Sequence, residues 1–574
     1  DAAAIFAMLF GGYEGIKPEL IEAFTATGIV HILSVSGSHI TLLAAVMACL
    51  GALLRLRPTV TAVFVAVVIS LYCVLAGCVP PALRAGAMGL LAFFALAWER
   101  ESDARRLLVL VGMALLFFEP LLAFDVSFQL SFAATAGLLY LAPPFDSWLS
   151  RLRFLPRFAA MSLAVTLGAQ LATVPFLAWY FHRLSLSSLA ANIVVVPVVE
   201  LVIVAGLFAG LVSFVLPFLA KIVFLADSLL LGLVYECTRL LAHVPGGEVY
   251  LPTLSAPLAL AYFAVLAVFV QPEERRAVVF SWCSKQRKPL LASALLIVFA
   301  MALWQILRPQ EMAVHFIDVG QGDAALVVTP HGRALMIDTG GTRDASFDFG
   351  TRVDVPYLWH YGVRQLDYII LTHAHEDHAG GTGGILRHIP VGMVLTAHEG
   401  RMEYARVLGF SPTAPEMRKI VPAEAGEHID LDGVAVDILY APEKAANGEA
   451  GAGITGNELS NVIRVRYGAA TFLFTGDLEA AQEQHMLEEG KNPKCTVLKV
   501  AHHGSKTSTT EAFLASAQPH YAVISVGREN NFGHPAPEVV KRLEKEGAKL
   551  YRTDEDGAIV FRTDGKKTRV ETFR

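Results

Sequence analysis

The sequence predicts a polytopic α-helical membrane domain followed by an α/β domain in which helices cover two sheets. Apolar residues make up 54% of the 574 residues and charged residues only 17%, and the mean hydropathy is +0.51. Those values are typical of integral membrane proteins. From Glu311 onward, apolar and polar residues alternate between Gly-rich turns, which is typical of strands. A chain of this length exceeds a single core, so we predict domains over residues 1–308 and 309–574.

The first domain is predicted from long apolar segments, most of them near the ~20 residues that span hydrocarbon. About ten segments are expected, over residues 39–54, 59–79, 82–98, 105–123, 126–142, 158–181, 189–215, 217–244, 254–271 and 289–307. The alternative, a set of buried helices in a soluble protein, is disfavoured by so many long apolar runs joined by short loops. We therefore expect membrane lipid to surround this domain.

Basic residues are concentrated in alternate loops between these segments. They are Arg55, Arg57, Arg100, Arg105, Arg106, Arg151, Arg153, Arg157, Arg275, Arg276, Lys285, Arg287 and Lys288. If every segment crosses the membrane, these loops share one side, and the positive-inside rule makes that side cytoplasmic. Everything after Arg308 then lies outside the cytoplasm, although one re-entrant segment would reverse this assignment.

Polar residues inside apolar segments are costly in a membrane, which makes them functional candidates. His39, Arg84, Asp125 and Gln129 are predicted to line a path through the first domain. The alternative for each is hydrogen bonding between neighbouring helices. Both interpretations stay open for Arg84 and Asp125, whereas a single amide such as Gln129 favours bonding between helices.

The second domain carries a concentration of metal-binding side chains in the segment LTHAHEDHAGG. His373, His375, Asp377 and His378 follow an apolar strand in the pattern His-x-His-x-Asp-His. Imidazole and carboxylate ligands suit zinc, manganese or iron. Alternation along the strand places His373 and His375 on the same face, and the turn that follows directs Asp377 and His378 toward them. One loop can therefore serve two adjacent metal sites.

Further ligands are expected at the ends of other strands. Asp477, in FLFTGD, is placed to bridge two ions, and His502 or His503, in VAHHGS, can complete the second site. His534, in FGHP, is another candidate. Asp338, in LMIDTGG, is predicted to orient a metal-ligating histidine rather than to bind the metal itself.

Two divalent ions at ~3.5–4 Å can polarise a phosphoryl or carbonyl oxygen and stabilise the leaving oxygen, so hydrolysis needs no covalent nucleophile. Lys499 and Ser505 lie close enough in sequence to the predicted ligands to contact an anionic substrate. The alternative for Lys499 is that it points into solvent. The predicted catalytic residues are Asp338, Asp377, Asp477, Lys499, His503 and Ser505.

These motifs resemble two known families. The segment from His373 to His378, with Asp477 and His502, is similar to the metallo-β-lactamase fold, an αββα sandwich. HFIDVGQGDAALV, LMIDTGG, FLFTGDLE and VAHHGS resemble more specifically the nuclease-like domain of the ComEC family. HILSVSGSHITLL, LAGCVPPALRAGAMG and DVSFQLSFAATAGLL resemble the competence region of the same family. The resemblance covers nearly the whole chain.

The resemblance implies a multi-pass channel in the bacterial inner membrane for the uptake of transforming DNA. One strand would enter the cytoplasm while a two-metal nuclease domain, using Mn²⁺ or Zn²⁺ on the periplasmic or extracellular side, degrades the other. The implied partners are DNA, a DNA receptor outside, and a motor ATPase and single-strand-binding proteins inside. Family members usually carry an upstream helix pair and a small OB-like domain, so we expect this chain to be a fragment or a truncated form.

Two positions depart from these family patterns. His375 stands where the ComEC family often has Asp, which should strengthen the first metal site. Metallo-β-lactamase folds often supply a further histidine before the bridging Asp, but here that region reads GNELSNVIRV. Asn457, Ser460 or water must therefore take its place, as the ComEC pattern also implies.

The charge of the second domain opposes DNA binding. Residues 311–574 contain 27 Lys and Arg against 36 Asp and Glu, whereas residues 1–310 contain 19 against 16. Phosphate contacts come mainly from Lys and Arg, so bound ions or a local basic patch would have to attract DNA. The patch candidates are Lys499, Lys506, Arg528, Lys541 and Arg542.

Two alternatives to a DNA channel with a nuclease domain therefore stay open. The first is a channel whose metal domain guides DNA without cutting it. The second is a membrane-anchored hydrolase of a small ester or phospholipid. A single anchor would be enough for such an enzyme, so the many predicted membrane segments count against the second alternative.

Overall fold

The computed structural model describes residues 4–5, 7–8, 16, 18–33, 37–78, 80–97, 103–307, 310–342, 347–442 and 456–574. The chain divides into two compact units, residues 1–290 and 291–574. This division falls inside the apolar helix Arg287–Leu307, whereas the predicted domain limit follows the end of that helix. The limit at residues 308 and 309 stays a prediction.

The first unit is built from helices. They are Pro18–Ala26 (α1), Gly37–Leu53 (α2), Pro58–Leu75 (α3), Pro80–Ala97 (α4), Ala104–Phe118 (α5), Val126–Tyr140 (α6), Ala142–Leu149 (α7), Arg157–Tyr180 (α8), Ser188–Val212 (α9), Pro217–Ala242 (α10), Ala256–Phe269 (α11) and Glu273–Lys285 (α12), followed by Arg287–Leu307 (α13). Two short antiparallel strands, Arg183–Ser185 (β1) and Glu248–Tyr250 (β2), pair with each other. Each predicted apolar segment coincides with one of these helices.

Several of these helices have the length and composition of membrane spans. In the described part of the chain, α3, α8, α9 and α10 are long and apolar enough to cross a bilayer, and α6 with α7, bent by 45°, counts as a fifth if the pair forms one span. Phe117 and Phe118 are 81% and 82% exposed, which suits lipid contact better than water. The predicted number of crossings stays a prediction.

Helices α6 and α8 approach each other closely at two glycines. A Cβ atom on Gly137 would lie 2.2 Å from the carbonyl oxygen of Gly168, and one on Gly168 would lie 2.9 Å from the carbonyl oxygen of Gly137. Small residues at such crossings let helix backbones pack directly. The two glycines therefore determine how closely α6 and α8 pack.

The Gly137→Ala substitution is expected to destabilise the first unit by about 1–3 kcal/mol, because the added methyl group forces the two backbones apart. Gly210→Ala is the matched control, since a Cβ atom there meets nothing within 4 Å. Thermal unfolding of the full chain in detergent should show a lower midpoint for Gly137→Ala alone. Equal midpoints for the two variants would contradict the packing argument.

The polar candidates of the first unit make local and interhelical contacts. Arg84 donates from Nε to the hydroxyl of Ser131 at 2.7 Å, which joins α4 to α6. Asp125 accepts a 2.7 Å hydrogen bond from a backbone N–H in the first turn of α6 and caps that helix. Gln129 donates to a backbone carbonyl at 2.7 Å. The side chain of His39 lies outside the described residues, and the predicted path through the membrane stays a prediction.

The second unit is built on two sheets. The strands are Met312–Phe316 (β3), Ala324–Val328 (β4), Ala334–Thr339 (β5), Leu366–Ile370 (β6), Val391–Thr396 (β7), Ile420–Pro422 (β8), His428–Leu431 (β9), Val434–Tyr440 (β10), Val462–Tyr467 (β11), Ala470–Phe474 (β12), Val497–Lys499 (β13), Tyr521–Ile524 (β14), Lys549–Arg552 (β15), Ala558–Thr563 (β16) and Thr568–Phe573 (β17). One sheet has eight strands in the order β17-β16-β3-β4-β5-β6-β7-β8, and the other has seven in the order β15-β14-β13-β12-β11-β10-β9.

The two sheets pack face to face and helices cover their outer faces. Phe316, Phe472 and Phe561 are buried in the core between the sheets, because each sheet turns one apolar face inward. The covering helices are Val355–His360 (α14), Glu376–Ala379 (α15), Thr382–His388 (α16), Arg401–Leu408 (α17), Ala480–Glu488 (α18), Glu511–Ala517 (α19), Pro537–Lys545 (α20) and Thr553–Asp556 (α21). The predicted αββα sandwich is confirmed.

Both sheets contain a parallel half. Strands β5 to β8 are parallel neighbours in one sheet, and β12 to β15 are parallel neighbours in the other. The carboxyl ends of parallel neighbours lie at one edge of a sheet. The loops after β6, β12, β13 and β14 are therefore brought to two such edges, and these loops carry most of the predicted site residues.

Candidate metal centre

Four side chains from three loops converge on one point in the second unit. Asp377, His378, Asp477 and His503 each offer one ligand atom, and these atoms all lie within 4.8 Å of one another. His378 Nε2 lies 3.1 Å from Asp477 Oδ1. His503 Nε2 lies 3.5 Å from Asp377 Oδ2 and 3.8 Å from Asp477 Oδ1. We call these four residues the ligand cluster.

The ligand cluster has the chemistry of a divalent metal site. Nε2 of His378, Nε2 of His503 and Oδ1 of Asp477 are buried and make no hydrogen bond in the described part of the chain. Buried polar atoms are normally paired, so three such atoms at one point require another partner. Imidazole and carboxylate are the usual ligands of zinc and similar ions, and the residues present fit a divalent cation.

Carboxylates behind the ligand cluster fix the orientation of both histidines. His378 donates from Nδ1 to Asp338 Oδ2 at 2.8 Å, and the backbone and hydroxyl of Thr372 each donate to the same carboxylate at 2.8 Å. His503 donates from Nδ1 to a backbone carbonyl at 3.0 Å, and this nitrogen lies 3.2 Å from Asp323 Oδ1. With Nδ1 occupied, Nε2 of each ring is free to face a metal ion. Asp338 thus makes the contact that its predicted orienting role requires.

The Asp338→Asn substitution is expected to weaken metal binding roughly 10- to 100-fold, the usual cost of removing a carboxylate that orients a ligating histidine. Calorimetric titration of the full chain with Mn²⁺ measures this affinity directly. Asp430→Asn, at an exposed position of strand β9, is the matched control and should bind like the unmodified chain. An unchanged affinity in Asp338→Asn would show that the Nδ1 contact does not matter for binding.

Lys499 lies behind the ligand cluster. Its amine forms an ion pair with Asp323 and donates to the carbonyl of Val500 at 2.9 Å. Lys499 is 3% exposed and Asp323 4%. The alternative that Lys499 points into solvent is therefore wrong. The same burial argues against the predicted contact with an anionic substrate, because the amine is not open to solvent.

The first two histidines of the metal loop lie beside the ligand cluster. His373 Nε2 lies 2.9 Å from His375 Nδ1, and the His373 ring centroid lies 4.2 Å from that of His378. The other His373 nitrogen, Nδ1, faces Ser460 Oγ at 3.4 Å. In the described residues, neither histidine belongs to a group of three or more ligand atoms. A metal site formed by this pair would need a further oxygen, such as one from Asp477.

The backbone separates the roles of the two adjacent histidines after β13. His502 and His503 both have left-handed conformations, with φ of 49° and 51°, which few residues other than glycine adopt. His503 turns into the ligand cluster, whereas His502 Nε2 lies 3.7 Å from the second oxygen of Asp477 and 3.3 Å from Asn457 Nδ2. The pattern VAHHGS alone left this choice open.

Two other predicted residues support the loops around the cluster. The hydroxyl groups of Ser505 and Thr507 are 3.0 Å apart within one loop, and Ser505 is buried. The ring of His534 stacks on that of His503 at 6.4 Å and lies 5.7 Å from that of His502. His534 therefore packs beside His503 of the ligand cluster and beside His502, and its predicted role as a ligand stays a prediction.

The ligand cluster concentrates buried charge. Burial favours a raised pKa for Asp477 and a lowered pKa for His378, but attraction between the two reverses both effects. The pKa of Asp477 is consequently well below its usual value and that of His378 well above it. Burial would likewise lower the pKa of His503, but Asp477 and Asp323 raise it to about 10. The raised pKa values mean that both histidines hold a proton more tightly than usual. A divalent cation would supply positive charge in place of these protons, so metal binding and protonation compete.

The sequence interpretation missed two acidic residues near the cluster. Asp323, in VGQGDAAL, stands directly before the buried strand β4, and a charged residue in that position was the available signal. Glu479 follows Asp477 by two residues, and its carboxylate lies 3.9 Å from His502 Nδ1. Glu479 also lines an open polar depression of about 340 Å³, together with His375, Gly456, Asn457 and Glu458.

Comparisons with known proteins match both units of the chain. The family model described as "Competence protein" matches residues 8–276, and that of the metallo-beta-lactamase superfamily matches residues 317–528. "ComE operon protein 3" of Bacillus subtilis is 30% identical, over 99% of this chain and 72% of its own length. "Competence protein ComA" of Neisseria gonorrhoeae is 31% identical, over 97% and 74%. "Recombination protein 2" of Haemophilus influenzae is 28% identical, over 97% and 71%.

Proposed function

The chain belongs to the competence protein family, and from this premise we propose that it takes up transforming DNA across the bacterial inner membrane and degrades one strand of it. One strand passes through the first unit into the cytoplasm, and the second unit hydrolyses the other on the periplasmic or extracellular side. The observation that carries the nuclease part is the ligand cluster, in which Nε2 of His378, Nε2 of His503 and Oδ1 of Asp477 make no hydrogen bond within the part of the chain that the structure describes. The apolar helices of the first unit support the transport part.

The second unit supplies the ligands that phosphodiester hydrolysis needs. Divalent ions, when bound, polarise a phosphoryl oxygen and stabilise the leaving oxygen. The ligand cluster would hold one ion, and His373 and His375 with the free oxygen of Asp477 would hold a second. Mn²⁺ and Zn²⁺ both suit this set of imidazole and carboxylate groups.

Residues around the open depression would bind the substrate and accept a proton from the attacking water molecule. Asn457 lies beside His502, where its amide can donate to a phosphate oxygen. Glu479 lies on the same depression, where its carboxylate can accept a proton from an attacking water molecule. The excess of negative charge on residues 311–574 is then offset locally by bound cations, so a DNA strand is drawn to the metal centre and repelled elsewhere.

One observation favours a second candidate function, a metal unit that guides DNA without cutting it. His373 and His375 stand outside the ligand cluster, and a single ion cannot hold both the attacking and the leaving oxygen as a pair does. The two candidates differ in whether metal-loaded protein breaks phosphodiester bonds.

Cleavage by the full chain in lipid nanodiscs distinguishes these candidates. End-labelled double- and single-stranded DNA are incubated with Mn²⁺, Mg²⁺ or Zn²⁺ and resolved on a denaturing gel. We expect metal-dependent shortening of at least one substrate. Intact DNA from protein that binds both metal and DNA would instead support the guiding function.

The side of the membrane is tested separately by labelling. A single cysteine is placed at the exposed position Glu546 in a chain whose six native cysteines are replaced by serine. A membrane-impermeant maleimide should label this cysteine in intact spheroplasts. Labelling only after the spheroplasts are broken would place the second unit in the cytoplasm and exclude strand degradation outside.

A further inference from the structure

A line of stacked aromatic rings leads from solvent to the ligand cluster. The ring of Phe532 stacks on that of His534 with centroids 5.9 Å apart and planes 28° apart. His534 stacks in turn on His503, at 6.4 Å and 28°, and His503 belongs to the ligand cluster. Phe532 is 64% exposed. It therefore presents an open aromatic face, and only the ring of His534 lies between it and the predicted metal ligand His503.

The loop that carries Phe532 is held in place. Asn530 donates from Nδ2 to the carbonyl of Gly527 at 3.0 Å and to the carbonyl of His534 at 2.7 Å. Its Oδ1 accepts from the backbone of Phe532 at 3.2 Å and from that of His534 at 3.0 Å. The Asn530 side chain thus makes four hydrogen bonds within the turn. The exposed Phe532 ring is therefore carried by an ordered loop.

The loop is also fastened to the elements around the metal centre. The backbone of Gly527 donates to Gln321 Oε1 at 3.1 Å. The backbone of Ala536 donates to the carbonyl of Gly504, directly after His503, at 2.9 Å. The backbone of the loop that carries Phe532 is therefore held at a fixed position relative to the ligand cluster, as a loop that positions a substrate must be.

We propose that Phe532, supported by His534, is a stacking platform for a nucleobase of single-stranded DNA entering the metal centre. This inference rests on the proposed nuclease function and names the form of its substrate. Every nucleobase has a π face, so a flat aromatic surface binds a strand without regard to its sequence. In a paired duplex the faces of internal bases are covered by their neighbours, and the platform therefore selects an unpaired or frayed end.

Neighbouring charges agree with a nucleic acid as the occupant. Arg528 is exposed at the start of the same loop, and Lys506 is exposed two residues after Gly504, whose carbonyl accepts a hydrogen bond from the backbone of Ala536. Glu529 adds one opposing charge, so this patch is only moderately basic. Stacking rather than phosphate attraction is expected to supply most of the binding free energy at Phe532.

The proposal is tested by binding rather than by cleavage. The full chain in nanodiscs, with Mn²⁺, is titrated with fluorescent single-stranded phosphorothioate DNA, and with the same oligonucleotide carrying abasic sites at its terminal nucleotides. Phe532→Ala should weaken binding of the normal oligonucleotide by about 5- to 100-fold, the range found when a stacking ring is truncated. Binding of the abasic oligonucleotide should change little, because no base is present to stack.

Three further variants make the test specific. Phe532→Trp keeps an aromatic face and should bind like the unmodified chain, whereas Phe532→Leu should bind nearly as weakly as Phe532→Ala. Phe573→Ala removes another exposed ring, 49% exposed at the end of β17, and should have no effect. Equal weakening for normal and abasic DNA, or a Phe532→Trp variant that binds no better than Phe532→Ala, overturns the platform.

Failure of the stacking platform can be distinguished from failure of the proposed nuclease function. Absence of cleavage together with the predicted difference between normal and abasic DNA would overturn the nuclease and support the platform as part of a guiding surface. Cleavage by the unmodified chain, with equal DNA affinities in Phe532→Ala, would retain the nuclease and overturn the platform. Mn²⁺ affinity is measured for every variant and is expected to be unchanged, because Phe532 contacts no ligand atom of the described cluster.

Discussion

Replacing Asp477 by asparagine is expected to lower DNA cleavage by about 10³-fold, which corresponds to ~4 kcal/mol of transition-state stabilisation. Asp477 Oδ1 faces His378 and His503, and Oδ2 lies 3.7 Å from His502. Its two carboxylate oxygens therefore have different neighbours. Asparagine keeps the shape of the side chain but offers one oxygen, without charge, so it could not fill the bridging role predicted for Asp477.

Metal content distinguishes a lost ligand from a lost fold in this variant. The metal bound per chain, measured by mass spectrometry of the purified protein, should fall together with cleavage. Asp430→Asn serves again as the control and should retain both. Full metal content with full cleavage in Asp477→Asn would remove this residue, and the bridging role predicted for it, from the mechanism.

Replacing Lys499 by methionine is expected to destabilise the second unit by about 3–5 kcal/mol, because it removes the ammonium group that is paired with the buried Asp323 carboxylate. Both side chains of this pair are almost completely inaccessible to water. Hydrogen exchange of the full chain measures the effect as lost protection of backbone amides in β12, β13 and β14. The double variant Lys499→Met with Asp323→Asn should recover much of the loss, since neither charge then remains unpaired.

An exposed ion pair provides the comparison for Lys499. Arg333 and Asp367 lie at the surface of the same unit, with side chains 44% and 18% exposed. Arg333→Met should cost only about 0–1 kcal/mol, because water solvates the remaining carboxylate. Similar losses of protection for Arg333→Met and Lys499→Met would mean that burial of the Lys499 pair is not the cause.

Much of the fold follows from local sequence patterns. Apolar segments of the first unit coincide with helices, because the length and the apolar composition that favour a helix are properties of each segment by itself. In the second unit the strands predicted to end at the metal loop and at the ligands Asp477 and His503 form where expected. Strands β7, β8, β9, β15, β16 and β17 were not predicted. They carry none of the predicted ligands, and the sequence interpretation centred on the motifs.

The candidate site was predictable in its residue types and less so in its geometry. The spacing from His373 to His378 and the FLFTGD motif indicated metal binding, because these ligands stand at strand ends that parallel sheets bring together. The same spacing suggested two adjacent metal sites, whereas the described structure gathers one four-residue ligand cluster with the first two histidines beside it.

The sequence by itself determined the two kinds of domain, the metal loop and the family, because periodicity, composition and motif spacing are local properties. Only the tertiary structure decided that His503 rather than His502 enters the ligand cluster, that Lys499 is buried, and that Asp323 supports the site. Side-chain direction after a strand depends on the backbone conformation of the turn. The partner of Lys499 comes from a distant strand, and sequence patterns do not encode which distant strands meet.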